Sequence, residues 1–274
     1  MSDDPIVAAE ALRLRAEAEG DPALAAAAVA LLREIPRARQ AAIALPLSAA
    51  LRALGALTDD LDALDAAVTL AREAIPGPRA SATLGAALAV LGERTGDAEA
   101  LGAALEAYEA AGFDDPLNQA RMLRNRGAVL TMLAGVMNER SLLIEAANTL
   151  RDARAGFAAI AAPTAEAALA AENLCHTLRL LGEPNDDKAL LAEAVAAGRV
   201  ALAGAPEAGR QRATAETNLA NALLALGGAG RAEAVALYRD ALSHFTGPAD
   251  PLRRAAARHN LWRAEQGGEE QTPL

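Results

Sequence analysis

Leu84-Gly85-Ala86-Ala87-Leu88-Ala89-Val90-Leu91-Gly92 and Leu219-Ala220-Asn221-Ala222-Leu223-Leu224-Ala225-Leu226-Gly227 are two versions of one helix. Each is followed, after a short loop, by a second apolar stretch that ends near a tyrosine: 98–111 with Tyr108, and 234–242 with Tyr238. Looser copies begin at Leu47-Ser48-Ala49-Ala50-Leu51 and Leu174-Cys175-His176-Thr177-Leu178, and degenerate ones at Ala8-Ala9-Glu10-Ala11-Leu12 and Arg126-Gly127-Ala128-Val129-Leu130. The small residue at the centre of each first helix falls at Ala9, Ser48, Gly85, Gly127, Cys175 and Ala220. Subtracting those positions gives spacings of 39, 37, 42, 48 and 45 residues. A period of that length holding two helices is the signature of a solenoid.

Composition supports the helical reading. The chain has 274 residues, of which 76 are Ala, and only 2% are aromatic. Ala and Leu lead the helix propensities, while the β-branched and aromatic residues that strands favour are sparse. The fold class expected is all-α: an α-solenoid of about six helix-turn-helix repeats plus a C-terminal capping helix. Periodicity and punctuation predict helices over 6–18, 22–35, 39–56, 60–75, 78–93, 97–111, 115–136, 139–161, 164–181, 186–203, 206–226, 229–245 and 250–266. Asp21-Pro22, Asp115-Pro116 and Asp250-Pro251 each place a side-chain acceptor ahead of a proline in the first turn. Asp97, Thr164 and Asn185 or Asp186 are the acceptors expected at other starts. Gly20, Gly55, Gly92, Gly182 and Gly227 are read as closing first helices in the left-handed conformation. No linker divides the sequence, so 6–266 is expected to be one elongated domain, with 267–274 a disordered polar tail.

The pattern Leu-Gly/Ala-x-x-Leu-x-x-Leu-Gly resembles the tetratricopeptide repeat (TPR) when the second helix is added. That helix carries a small residue (Ala28, Ala67, Ala104, Ala146, Ala194, Ala234), then an aromatic or apolar position four later (Leu32, Ala71, Tyr108, Leu150, Gly198, Tyr238), then a further small residue (Ala74, Ala111, Ala153, Ala201, Ala241). The resemblance covers residues 6–265 and is strongest at 81–111 and 211–242. The units exceed the usual ~34 residues, the bulky aromatic near the start of the first helix is mostly missing, and Arg126 stands where Leu is usual. The resemblance is to the bacterial type with lengthened units.

The resemblance implies that first helices line a concave face whose inward residues meet a guest. Carried over position by position, that stripe is Arg121, Arg124, Asn125 and Thr131; then Glu172, Asn173, His176 and Arg179; then Thr217, Asn218 and Asn221; and in the last helix His259, Asn260 and Arg263. Earlier units offer mainly Ala, with Arg52, Arg79 and Thr83 as exceptions. Asn both donates and accepts, which suits a peptide main chain, and Arg offers a planar fork for a carboxylate. Asn173, Asn218 and Asn260 recur about one unit apart and are expected to form a row.

Enzymatic signatures are mostly absent from the sequence. The only lysine, Lys188, lies in Asp186-Asp187-Lys188-Ala189, not in a phosphate loop. Gly227-Gly228-Ala229-Gly230 follows a helix and reads as a helix–helix connection. His176, His244 and His259 have no zinc spacing. Cys175 and His176 are neighbours and so point about 100° apart on a helix, and Cys175 reads as an inert core thiol. Acidic pairs at 59–62, 114–115 and 186–187 read as caps, and Trp262 as packing the last helix onto the preceding pair. An enzyme on this scaffold would need Glu172, His176, Arg179 and Arg124 gathered in a closed pocket.

Net charge −10 and an isoelectric point near 4.9 argue against nucleic acid. Charged residues interrupt the apolar runs before the roughly 18 residues of a membrane span. The acidic start, Met1-Ser2-Asp3-Asp4, lacks the basic stretch of a secretory signal, so a cytoplasmic location is expected. The function expected is a non-enzymatic protein- or peptide-binding scaffold or adaptor. Its partner would bear acidic or C-terminal carboxylate groups, with no cofactor, metal, nucleic acid or membrane, and the chain would be a monomer. The alternative is a regulatory sensor solenoid that binds a small anionic ligand or signalling peptide. It would control a separate effector, such as a caspase-like peptidase or a transcription regulator, as repeats of this kind often do in bacteria.

Overall fold

The computed structural model describes residues 4–36, 39–160 and 164–266. Among them are thirteen α-helices and no strand. They are α1 (Pro5–Glu19), α2 (Pro22–Arg33), α3 (Gln40–Thr58), α4 (Leu61–Glu73), α5 (Pro78–Thr95), α6 (Ala98–Ala111), α7 (Pro116–Met137), α8 (Arg140–Ala159), α9 (Thr164–Gly182), α10 (Lys188–Gly204), α11 (Arg210–Leu226), α12 (Arg231–His244) and α13 (Pro251–Gln266). The expected tail, 267–274, lies outside the described residues. The helices group into two compact units, 1–139 and 140–274.

In the first unit α1 pairs with α2, α3 with α4 and α5 with α6, and α7 follows. Successive first helices also touch, α1 against α3, α3 against α5 and α5 against α7. In the second unit α8 packs on α9, α9 pairs with α10 and α11 with α12, while α9, α11 and α13 form the row of first helices. Helical hairpin stacks on helical hairpin in each unit, the packing of a helical-repeat solenoid.

Small residues make the stacking close. Ala28, Ala67, Ala104, Ala146, Ala194 and Ala234 are wholly buried, as are Ser48, Cys175 and Ala220 in first helices. Ser48 satisfies its hydroxyl by donating to the Ala67 carbonyl at 2.7 Å. Bulk enters at a few points only: Tyr108 lies over Gly85, where a Cβ would come within 3.0 Å of the ring.

Helix starts follow the aspartates. Asp21, Asp97 and Asp115 accept from Ala23, Glu99 and Asn118 amides at 2.8–2.9 Å. Two expected caps differ. Asp187, not Asn185 or Asp186, caps α10, because a 3-10 turn at Glu183–Asn185 inserts residues before the helix. Asp250 is buried and accepts from the Gly247 amide at 3.0 Å, with Arg210 beside it at 3.1 Å.

The glycines also need correction. Gly20 ends α1 in the left-handed conformation, and Gly227 ends α11 at φ 78°. Gly55 and Gly92, however, lie inside α3 and α5, which Asp59 and Gly96 terminate, and Gly182 is the last residue of α9 in ordinary helical geometry. Their role is closeness: a Cβ at Gly55 would stand 2.7 Å from Leu64, and one at Gly92 2.7 Å from Leu101. Gly92→Ala should therefore cost about 1–3 kcal/mol by overpacking. Gly102→Ala, on an open stretch of α6, should gain up to ~1 kcal/mol of helix propensity. Urea unfolding of the two variants checks this; shifts of the same sign would contradict it.

One further sequence expectation needs amending. The window Ala41–Thr58 of α3 is long and apolar enough to cross a membrane, with mean hydropathy 1.6. In the structure α3 is sandwiched among α1, α2, α4 and α5, and its Arg52 donates to Glu17 at 2.8 Å.

Candidate functional site

In the second unit the row of first helices, α9, α11 and α13, carries the polar stripe, and α12 backs it. A cavity of about 700 Å³ opens there. Among its lining residues are Arg179 from α9, Asn221 from α11, Tyr238 from α12, and Asn260, Trp262 and Arg263 from α13.

The floor is hydrogen-bonded. The wholly buried Tyr238 donates its hydroxyl to Asn221 Oδ1 at 2.6 Å, and Asn260 Nδ2 donates to the same oxygen at 3.0 Å. Both acceptor lone pairs of Asn221 are thereby used. Burial pushes the Tyr238 phenol up to about 12, against the pull of Arg179 and Arg263, so it stays neutral.

The wall is cationic. Arg179 pairs with Glu183 one turn on, and Arg231 leans on the Ala264 carbonyl at 3.4 Å. Arg263 has no ion-pair or hydrogen-bond partner among the described residues. Trp262 is 58% exposed on the rim. Its ring stacks on His259 with centroids 6.2 Å apart and planes 29° from parallel. Trp262 thus does not pack α13 onto the preceding pair; the buried Ala257 and Ala264 do that.

Of the stripe residues expected here, the cavity gathers Arg179, Asn221, Asn260 and Arg263. His259 stacks on Trp262 and does not itself line the cavity. Asn173 and Asn218 are half-buried on α9 and α11 but do not line the cavity, and Asn260 is tied to Asn221 instead of continuing their row. Thr217 turns its hydroxyl back onto the Ala213 carbonyl at 2.8 Å. Tyr238, Trp262, Arg231 and Glu183 were not in the expected set. Tyr238 sits at the repeat's aromatic position and Trp262 is the sole tryptophan, and those were the available signals.

Glu172 and His176, one turn apart on α9, are recessed in the same row. Burial raises Glu172 to about 7 against the attraction of Arg253, and lowers His176 to about 4, helped by Arg179. Burial also pushes the Cys175 thiol up to about 12, so it is not a nucleophile. Linkage gives the two recessed groups opposite signs. Glu172 binds its proton more tightly when folded, so stability falls as pH rises from 4.5 towards 7. His176 binds its proton less tightly when folded, so stability rises with pH between about 4 and 6.5. Between pH 5 and 6.5 they oppose each other. His176→Gln should unmask a decline in urea midpoint over that range and Glu172→Gln a rise; identical profiles in both variants would refute the assignment.

In the first unit the corresponding residues are engaged locally. Arg124 donates to Asn125 Oδ1 at 3.0 and 3.2 Å, Arg121 to Asn118 Oδ1 at 3.4 Å, and Thr131 is buried with its hydroxyl on the Gly127 carbonyl at 3.0 Å. Asn125 also bonds the buried Tyr108. Arg52 is held by Glu17, which also takes Arg13 at 2.8 Å. Thr83 donates to the Arg79 carbonyl at 2.8 Å.

No protein-family model matches the chain, and no curated protein matches it. Among solved structures it is similar to the crystal structure of a Rap protein complexed with competence and sporulation factor. The match has TM-score 0.59 and 14% sequence identity, and covers 97% of this chain and 72% of that one. This chain has a TPR-like helical-repeat fold. At that identity the likeness concerns architecture, and each TPR-like unit's chemistry is read from its own side chains.

Proposed function

We propose that this chain is a non-enzymatic binding scaffold that seats an acidic segment of another protein or peptide in the cavity formed by α9, α11 and α13. The observation that carries the reading is Arg263. It is a cavity-lining guanidinium without an internal counter-charge, in a chain whose net charge is −10. Arg179 and Arg231 add positive charge against Glu183 alone among the lining residues. Asn221 Oδ1 is already occupied, so what Asn221 turns to a guest is its amide donors. A donor-rich wall of this kind selects acceptors, and carboxylates are the acceptors that Arg forks fit best. The similar Rap structure holds competence and sporulation factor, which supports a bound guest on this architecture.

A small anionic ligand is the second reading, favoured by the cavity's size, which falls within the usual range for small-molecule sites. Titration calorimetry separates them. An acetylated, amidated peptide with the core Asp-Asp-Ala should bind at least about tenfold more tightly than its Asn-Asn-Ala counterpart, since hydrogen bonds to charged groups dominate. Its affinity should weaken as salt rises. Equal affinities would sink the peptide reading; heat from free dicarboxylates alone would favour the small ligand.

A further inference from the structure

We infer that the acidic guest carries an aromatic side chain beside its carboxylate, and that the exposed face of Trp262 is the platform for that ring. This rests on the peptide reading above and names the guest's second feature.

Aromatic side chains are scarce in this chain and otherwise spent on the interior. Tyr108, Phe157, Tyr238 and Phe245 are each at most 2% exposed, and Phe113 is half-buried. Trp262 breaks that rule at 58% exposure. A tryptophan in water forgoes the largest apolar burial of any side chain, and Trp and Arg are among the residues most enriched at the energetic hot spots of interfaces. Its exposure is not slack. His259, one turn earlier on α13, stacks on the indole at 6.2 Å, and the indole itself lines the cavity. Arg179 and Arg263 line that same cavity. Cation and ring line one cavity, so the complementary guest presents an anion and a ring together. A purely acidic segment would use only half of the surface.

The single tryptophan makes the test direct, because emission from the chain reports Trp262 alone. Acetylated, amidated peptides with Asp-Asp-Phe and Phe-Asp-Asp cores are compared with Asp-Asp-Ala on the full chain, by emission and by calorimetry. One phenyl-bearing peptide should shift the emission and bind about fivefold more tightly than the alanine peptide, the scale of an aromatic pair. Trp262→Ala should remove that preference while still separating Asp-Asp-Ala from Asn-Asn-Ala. The inference falls if the native chain binds all three acidic peptides alike, or if Trp262→Ala keeps the preference. It also falls if the emission of the unliganded chain shifts with protein concentration, which would make a second copy the occupant. If no acidic peptide binds at all, the parent reading falls with it.

Discussion

Tyr238→Ala is expected to lower the stability of the second unit by about 3–5 kcal/mol, the range for emptying a buried aromatic site. The ring is wholly buried among Leu219, Leu223 and Ala234, and a core made mostly of Ala has little bulk with which to refill the space. The hydroxyl adds a separate, smaller effect. Tyr238→Phe keeps the ring and removes only the 2.6 Å bond to Asn221, so it should cost about 1 kcal/mol. Urea unfolding followed by Trp262 emission reads this unit. A loss under about 1 kcal/mol for Tyr238→Ala would mean that the ring does not hold the hairpin together.

Arg263→Glu should have the opposite profile: a large effect on binding and almost none on stability. Arg263 makes no hydrogen bond or ion pair among the described residues, so removing it breaks nothing internal. Reversing its charge places a second carboxylate beside Glu183 in the cavity wall. A guest carboxylate then meets repulsion where it had a donor fork, and affinity for the Asp-Asp-Ala peptide should fall by about a hundredfold or more, in line with charge-assisted bonds of 1.5–3 kcal/mol lost and repulsion gained. Arg263→Lys keeps charge but not the fork, and should fall between. Calorimetry alongside urea midpoints separates the two effects; unchanged affinity in Arg263→Glu would remove this residue from the site.

Much of the architecture was legible because helical periodicity and capping are local. The aspartate caps of α2, α6 and α7 and the tyrosines at the repeat's aromatic position were readable from a few residues each. Gly55 and Gly92 were not, since a glycine near a helix end suits either a left-handed cap or a close crossing. Only the neighbouring Leu64 and Leu101 decide between them. The same limit shaped the site. That Arg179, Asn221, Asn260 and Arg263 share one cavity wall followed from the register of the first helices. Asn260 nevertheless pairs with Asn221 and not in line with Asn218, because equal spacing along the chain does not fix how far one helix slides on the next when both faces are alanine. Trp262 was misread for a related reason: a lone tryptophan suggests packing, and sequence does not say that Ala257 and Ala264 already seat α13.

Peptide-induced protection from amide hydrogen exchange tests the central claim most directly. With the Asp-Asp-Phe peptide bound, exchange should slow in α9, α11 and α13 and stay unchanged in α1–α7. Protection confined to α1–α7, or none in the helices that line the cavity, would contradict it.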